Sequence, residues 1–351
     1  MKKLIKDYLQ TYRYKQCRIA WNKRHKIVFK KNPELNVNVP AGLLKDHLNY
    51  WKPLGKKFST DTFKICFALS GVEDPAIIPE ELYQGYIEPK LRRSEYQYYF
   101  SHKSLYPLWN SPSYFPESIG HKINGFFYDK SFRPVSLEQL VELSLNYDGN
   151  QILKPSIETY GGKGVTVISK GLYSPANIKK LLQKSGDFVL QEKIKQHKSL
   201  KDYHHQSLNT IRVHLMRDPL TGKAQFLHAA MKMGCGGGLD NLSAGGIISY
   251  INQEGKLYGK ALDKYAKKYY EHPDSGLAFD LKIPDYEGLQ KTALSVMGKI
   301  FYVNIIGLDM AYSDDNKWKV IEVNTQAQSI RFVQYAGVPF MSTIKKQIKN
   351  I

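Results

Sequence analysis

Apolar positions first recur with a helical period: Leu4, Ile5, Tyr8, Leu9 and Tyr12 line up beneath a dense set of Lys and Arg, which predicts a basic amphipathic helix. Asn32-Pro33 and Val39-Pro40 then punctuate the chain, and residues 41–100 are rich in Tyr, Phe and Lys without a readable chemistry. Ser136-Leu137-Glu138-Gln139 fits a capping box that opens a helix through Leu145, closed by Asp148-Gly149-Asn150. A strand, Gln151-Ile152-Leu153-Lys154-Pro155, then runs into Tyr160-Gly161-Gly162-Lys163-Gly164 and the β-branched run Val165 to Ile168. Valine and isoleucine after the glycines disfavour a helix start. The unit is therefore strand, glycine loop, strand, and not the strand-to-helix loop of a Walker or dinucleotide site. Ser174-Pro175 caps a further helix through Gln183, and Phe188 to Ile194 is the next strand.

A period of two governs the rest. In Asn209 to Met216, Thr210, Arg212 and His214 share one face and Ile211, Val213 and Leu215 the other. After a turn at Asp218-Pro219-Leu220-Thr221-Gly222, Phe226 to Met233 sets Lys232 opposite an apolar face of Leu227, Ala229 and Met231. Val303 to Tyr312 is apolar enough for a buried strand, and Lys317 to Val323 alternates. A two-residue loop at Asp315-Asn316 pairs Asp314 with Lys317; counting back then sets Asp309 opposite Glu322, with Asn324 on the same face. Opposed like charges destabilise a sheet, so something positive is expected between them. Two carboxylates and an amide suit a hard cation, Mg²⁺ sharing its other positions with phosphate oxygens and water. The plain alternative is a surface hairpin with solvated acids.

Composition narrows this only a little. The 351 residues leave room for two or three subdomains, and a net charge of +19 implies attraction to an anionic partner: nucleic acid, a membrane surface, nucleotide phosphates or an acidic sugar. Eleven Lys and Arg against the single acid Asp7 fall within residues 1–31, so the first helix either rests on an anionic membrane or packs its apolar side on the domain. Cys17, Cys66 and Cys235 fit neither a disulfide framework nor zinc-ligand spacing, and Cys235 has no evident base beside it. With no apolar signal segment and no bilayer-length run, the expected setting is the reducing cytoplasm, including the inner face of the membrane.

Lys154 and Lys163 offer point charges and the glycines offer backbone N–H groups to a polyphosphate, although such clusters also make plain turns. The order of parts says more. Lys103, then Lys154 before a glycine hairpin, a helix, a strand with Gln191-Glu192, and distant Asp309 and Glu322-x-Asn324 resemble the ATP-grasp superfamily, and the spacing of the last three looks like the metal-binding arrangement of D-alanine–D-alanine ligases. Ser207 to Val213, Gly236 to Asn241 with Gly245-Gly246, and Ile306 to Asp309 look like the sugar-transfer-associated ATP-grasp proteins encoded among surface-polysaccharide genes. The resemblance covers roughly residues 100–330.

It implies an α+β ATP-grasp fold with nucleotide held between a mobile lid subdomain and a C-terminal antiparallel-sheet subdomain, behind a basic helical N-terminal region. The implied boundaries are 1–98, 99–196 and 197–351. Lys103 and Lys154 would contact phosphate, Gly161, Gly162, Lys163 and Gly164 would close over it, Gln191, Glu192 and the backbone near Ile194 would form the adenine hinge, and His197 or a neighbour would meet the ribose. Asp309, Glu322 and Asn324 become the Mg²⁺ ligands, and Asn209, Arg212, Asp240 and Asn241 the substrate contacts. One departure stands out: the arginine that D-alanine ligases place two positions before the metal Asp is Gly307 here, with Arg212 as its substitute.

The implied chemistry is ATP-dependent ligation, in which a carboxylate attacks the γ-phosphate of MgATP and an amine then displaces phosphate from the acyl phosphate to form an amide. Lys103, Lys154, Lys232 and Arg212 would neutralise charge, with no protein nucleophile. The implied partners are a small carboxylate and an amine: an amino acid with a sugar acid, amino sugar or sugar nucleotide, and no nucleic acid. Two rivals stand beside this. A phosphotransferase on the same fold needs a base near Arg212, from His214 or Asp240. A non-catalytic basic protein binding nucleic acid or membrane through residues 1–31 predicts steeply salt-dependent binding.

Overall fold

The computed structural model describes residues 2–91, 96–157, 164–218, 220–237, 242 and 245–341. Two antiparallel sheets organise them. The first has strand order β2-β1-β5-β3-β4, from β1 (Ser118–Ile123), β2 (Phe126–Asp129), β3 (Gln151–Pro155), β4 (Thr166–Ile168) and β5 (Phe188–Glu192). β3 and β4 pair antiparallel, so the hairpin across the glycine loop is as expected. Both predicted caps form: Ser136 and Gln139 exchange side-chain and backbone hydrogen bonds, and Ser174 accepts from the Asn177 N–H. The helices they start bury Leu140, Val141, Ile178 and Leu182 against Ile119, Leu153, Phe188 and Leu190 of the sheet. Each such side chain contributes about 1.5–3 kcal/mol of burial.

The second sheet runs β10-β9-β8-β7-β6-β11-β12, from β6 (Thr210–Arg217), β7 (Ala224–Met233), β8 (Ile247–Ile251), β9 (Ala261–Leu262), β10 (Lys268–Tyr269), β11 (Ile305–Tyr312) and β12 (Trp318–Asn324). Its apolar face, with Ile211, Val213, Leu215, Leu308 and Met310, packs on Leu289, Ala293, Val296 and Met297 of helix Tyr286–Gly298. The opposite face, bearing Ala230, Ile248, Met216 and Ile305, meets the N-terminal region through Phe63, Ile77, Ile78, Leu82 and Tyr83. Residues of the first hundred therefore share a core with the C-terminal sheet.

Two sequence expectations change. The first helix spans Lys2–Lys31, and its buried stripe is Tyr14, Trp21, His25 and Val28, whereas Tyr8 and Tyr12 are 70% and 54% exposed. Pairing the Trp21 indole with Gln84 fixes which side docks, and Tyr8, Leu9 and Tyr12 are left facing outward. The β11–β12 loop has three residues, not two: the Ser313 N–H donates to Lys317 O, and Asn316 takes a left-handed φ of 59°. A bulge beside Asp309 absorbs the one-residue difference, so Asp309 still pairs with Glu322. Among the described residues, no helix is long and apolar enough to cross a membrane.

Candidate active site

Strand β3 of the first sheet, the turn at Lys103 and the polar face of the second sheet bring four cations and two carboxylates together. Lys154 comes from β3 and Lys103 from a short turn whose N–H donates to Ser156 O, while Ser104 Oγ lies 2.7 Å from Ser156 Oγ. The same segment reaches the second sheet, where the Val323 N–H donates to the Tyr106 hydroxyl at 2.9 Å. Lys103 Nζ consequently sits 2.7 Å from Glu322 Oε1. One pairing down, the Arg212 guanidinium grips Asp309 with two hydrogen bonds of 2.6 and 2.9 Å, and Lys232 Nζ donates to Asp309 Oδ2 at 3.3 Å. The positive charge expected between the opposed carboxylates is supplied by these side chains.

Burial alone would raise the Asp309 carboxyl, but Arg212 and then Lys232 overcome it and hold it well below the usual carboxylate range. Burial, reinforced by the Lys103 charge, lowers the Lys154 ammonium to about 8. Burial and the neighbouring Arg212 keep the His214 imidazole neutral, its value well below the ordinary one.

Gly307 explains the relocated arginine. A Cβ there would come within 2.3 Å of Gln328 Oε1 and 3.2 Å of Arg212 Cδ, so the space beside Asp309 is already filled by Arg212 arriving from β6. Gln328 is itself held, its N–H donating to Glu88 Oε1 at 2.8 Å and its Nε2 to Asn324 O at 2.6 Å. Asn324 shares the face of Glu322, and its buried Nδ2 has no partner. A carboxamide flip exchanges oxygen for nitrogen at that point. Asp309, Glu322 and an Asn324 oxygen thus fit the all-oxygen donor set of Mg²⁺. Among the described residues, no group of three or more His, Cys, Asp and Glu side chains is gathered for a metal.

Other expected residues stand further out. Glu192 Oε1 accepts from the Glu117 N–H at 2.9 Å, and Gln191 lies buried on β5 between β1 and β3; the strand ends at Glu192, two residues short of the expected Ile194, and the chain then passes beside the β11–β12 hairpin, where the Asp314 N–H donates to Lys195 O. His197 stacks obliquely on Tyr312 at 5.1 Å and engages Ser199 through Nδ1. Asn209 is fully buried, with Nδ2 donating to Leu200 O and His204 O and Oδ1 accepting from Ser207 and the Gly234 N–H, so its carboxamide clasps a loop within the chain. Gly234 permits that approach, because a Cβ would meet His204 Nδ1 at 2.4 Å. Gly161, Gly162, Lys163, Asp240 and Asn241 lie outside the described residues, whereas Gly164 is described with a left-handed φ of 78°.

Sequence reasoning missed Glu88 and Gln328, which hold the backbone beside Asn324. Glu88 lies in the stretch with no readable motif, and Gln328 comes after the last recognisable segment. Nothing in their spacing announces them.

A family model described as sugar-transfer associated ATP-grasp matches residues 127–350. No curated protein matches the sequence. Among solved structures, D-alanyl-alanine synthetase A from Vibrio cholerae O1 biovar eltor is similar at 13% identity and TM-score 0.43, over 72% of this chain and 64% of that one. The ATP-grasp ligase PsnB, complexed with minimal precursor, Mg and ADP, is similar at 14% identity and TM-score 0.43, over 74% of this chain and 61% of that one. For biotin carboxylase from Campylobacter jejuni the values are 14% and 0.42, over 72% and 46%. The chain spans less than two thirds of the length of each. On the family match, the chain belongs to the sugar-transfer associated ATP-grasp family, and its fold is the ATP-grasp fold expected from the sequence.

Proposed function

We propose that this chain is an ATP-dependent carboxylate–amine ligase that forms an amide through an acyl phosphate. The observation that carries the reading is the clustering of charge in the cleft: among the described residues, the four cations Lys103, Lys154, Arg212 and Lys232 outnumber the two carboxylates Asp309 and Glu322 where the sheets meet. That excess suits the phosphates of ATP and a substrate carboxylate. Lys103 and Lys154 would hold phosphate, with residues 161–164 closing over it and the segment from Gln191 to Ile194 flanking the base. Arg212 and Lys232 would orient the attacking carboxylate oxygen and neutralise the charge that develops on transfer. Mg²⁺, where bound by Asp309, Glu322 and Asn324, would supply Lewis-acid charge neutralisation to the phosphates. Asn209 serves as a positioning residue, with Asp240 and Asn241 as substrate contacts. The boundaries 1–98, 99–196 and 197–351 are kept as functional divisions, and the substrates as an amino acid and a sugar acid or amino sugar of surface-polysaccharide assembly.

An ADP-release screen over amino acids, hydroxy acids and uronic acids tests this, with hydroxylamine trapping for the acyl phosphate. Release that depends on both substrates, and that Glu322→Ala abolishes, is expected. Normal turnover in Glu322→Ala, or phosphate transfer to a hydroxyl with no hydroxamate formed, removes the ligase reading.

The outward face of the first helix supports a peripheral contact with anionic membrane. It exposes Tyr8, Leu9, Tyr12 and Ile19 among its lysines and arginines. Co-sedimentation with phosphatidylserine vesicles at low salt is expected, lost in Tyr8→Ser/Leu9→Ser/Tyr12→Ser; equal sedimentation of that variant sinks the idea.

A further inference from the structure

Asn324 closes β12, and the stretch 325–330 that leads from it to helix Arg331–Tyr335 is irregular. Ala327, in the middle of that stretch, has a left-handed φ of 56°. A residue with a Cβ is disfavoured there, and such a conformation persists only where the surroundings hold it. The holding groups come from the N-terminal region. Glu88 is 1% exposed and accepts the Gln328 N–H at 2.8 Å through Oε1, while Gln328 Nε2 reaches back to Asn324 O at 2.6 Å. Further along, the fully buried Gln334 exchanges two hydrogen bonds with the Ile78 backbone, of 2.7 and 2.9 Å.

The neighbouring strand is tied down at the same place. Leu91 O, in the short helix Glu88–Leu91, accepts the Asn304 N–H at 3.2 Å, just ahead of β11. Gly307 of β11 pairs with Asn324 of β12, so the start of one strand and the end of the other meet at the open end of the hairpin. One short helix therefore steadies both strands that carry the acidic residues of the site. From this geometry we infer that Glu88 is a positioning residue of the active site: by holding the Gln328 N–H it fixes the turn after β12 and, through Gln328, the backbone from which the Asn324 carboxamide projects beside Asp309 and Glu322. The consequence for metal binding rests on the reading of Asn324 as a Mg²⁺ ligand. Glu88 also lies outside the matched residues 127–350, so a region with no family motif supports the site. Groups that orient a ligating side chain typically change metal affinity by about 10- to 100-fold when they are removed.

The test is calorimetric titration of the full chain with ATP, once with Mg²⁺ and once with EDTA, beside amide exchange of the chain without nucleotide or metal. In the wild type Mg²⁺ is expected to tighten ATP binding. Glu88→Ala should shrink that advantage by about tenfold or more, leave ATP affinity in EDTA within about twofold of wild type, and speed exchange over residues 325–329. Glu88→Gln keeps an oxygen for the Gln328 N–H and should restore the advantage to within about threefold. If Glu88→Ala does not fold, Gln328→Met carries the same expectation for the Mg²⁺ advantage, because it removes the link to Asn324 O and keeps the volume. A purely structural carboxylate would lower the melting temperature and leave the Mg²⁺ advantage intact. That result, unchanged exchange, or a Glu88→Gln variant as impaired as Glu88→Ala overturns the assignment. The two readings fail differently. A wild type that binds ATP equally with and without Mg²⁺ removes the metal reading together with this one, whereas an advantage that survives in Glu88→Ala removes only the role of Glu88.

Discussion

Asp309→Asn is expected to cost about 3–5 kcal/mol of stability, the usual price of stripping one partner from a buried ion pair, and to reduce ADP release by three orders of magnitude or more. Asp309 is 5% exposed, and its two oxygens take three hydrogen bonds from Arg212 and Lys232. Without the carboxylate those two cations face each other in a poorly solvated cleft. Domains of this kind are stable by about 5–15 kcal/mol, so urea unfolding should show a large fall in midpoint. Adding Lys232→Met should restore part of it, because the loss is uncompensated charge and not packing. The pH dependence comes from the direction of the shift. Arg212 and Lys232 hold the folded carboxyl below its unfolded value near 3.9, so the stabilisation is fully present above about pH 4 and is lost as pH falls through the folded value. The wild type should therefore show an acid-side decline that the variant lacks. A variant that melts with the wild type, or declines alongside it in acid, contradicts this account of the cluster.

Periodicity was enough to make the second sheet readable. Arg212, Thr210 and His214 fall on one face of β6 and Ile211, Val213 and Leu215 on the other, and β6 pairs with β7 as the turn at 218–222 implied. Asp309 stays opposite Glu322 because a loop one residue longer than the alternation implies is offset by a bulge beside Asp309. Bulges arise from local twist and leave no mark in an alternating pattern. Partner choice was the illegible part. That Lys103 would pair with Glu322, and Arg212 with Asp309, depends on contacts 219 and 97 positions apart, formed only when two sheets and a turn meet. Glu80 shows the same limit. It lies fully buried in the aromatic-rich stretch, and burial raises its carboxyl to about 8, although nothing in the local sequence sets it apart from a surface glutamate. The first helix failed for a related reason: apolar residues on two sides of Lys2–Lys31 compete, and the docking surface, unseen in sequence, selects Tyr14, Trp21 and Val28.

Lys154→Met should move binding and stability in opposite directions. Burial holds the ammonium at about 8, so at pH 7 the folded protein keeps a charge that water would solvate better. The cost is on the order of 1–3 kcal/mol. It is present in full below about pH 8, where folded and unfolded chains are both protonated. Between about 8 and 10.5 the unfolded chain binds the extra proton, and stability rises with pH until the cost is gone. Methionine removes the charge and keeps most of the volume, so the variant should be more stable than wild type at pH 7, by a margin that closes as pH rises through that window. Nucleotide binding should fall by about 10- to 100-fold, the loss of a charge-assisted hydrogen bond to phosphate of about 1.5–3 kcal/mol. In the wild type, MgATP affinity should also drop by about tenfold per pH unit above 8, because the protonated lysine is the form that meets phosphate. The variant should be flat over the same range. Thermal unfolding and MgATP titrations from pH 6 to 10 read both effects. Unchanged nucleotide affinity in Lys154→Met, or a variant less stable than wild type at pH 7, would show that this lysine is held in place for packing and not for phosphate.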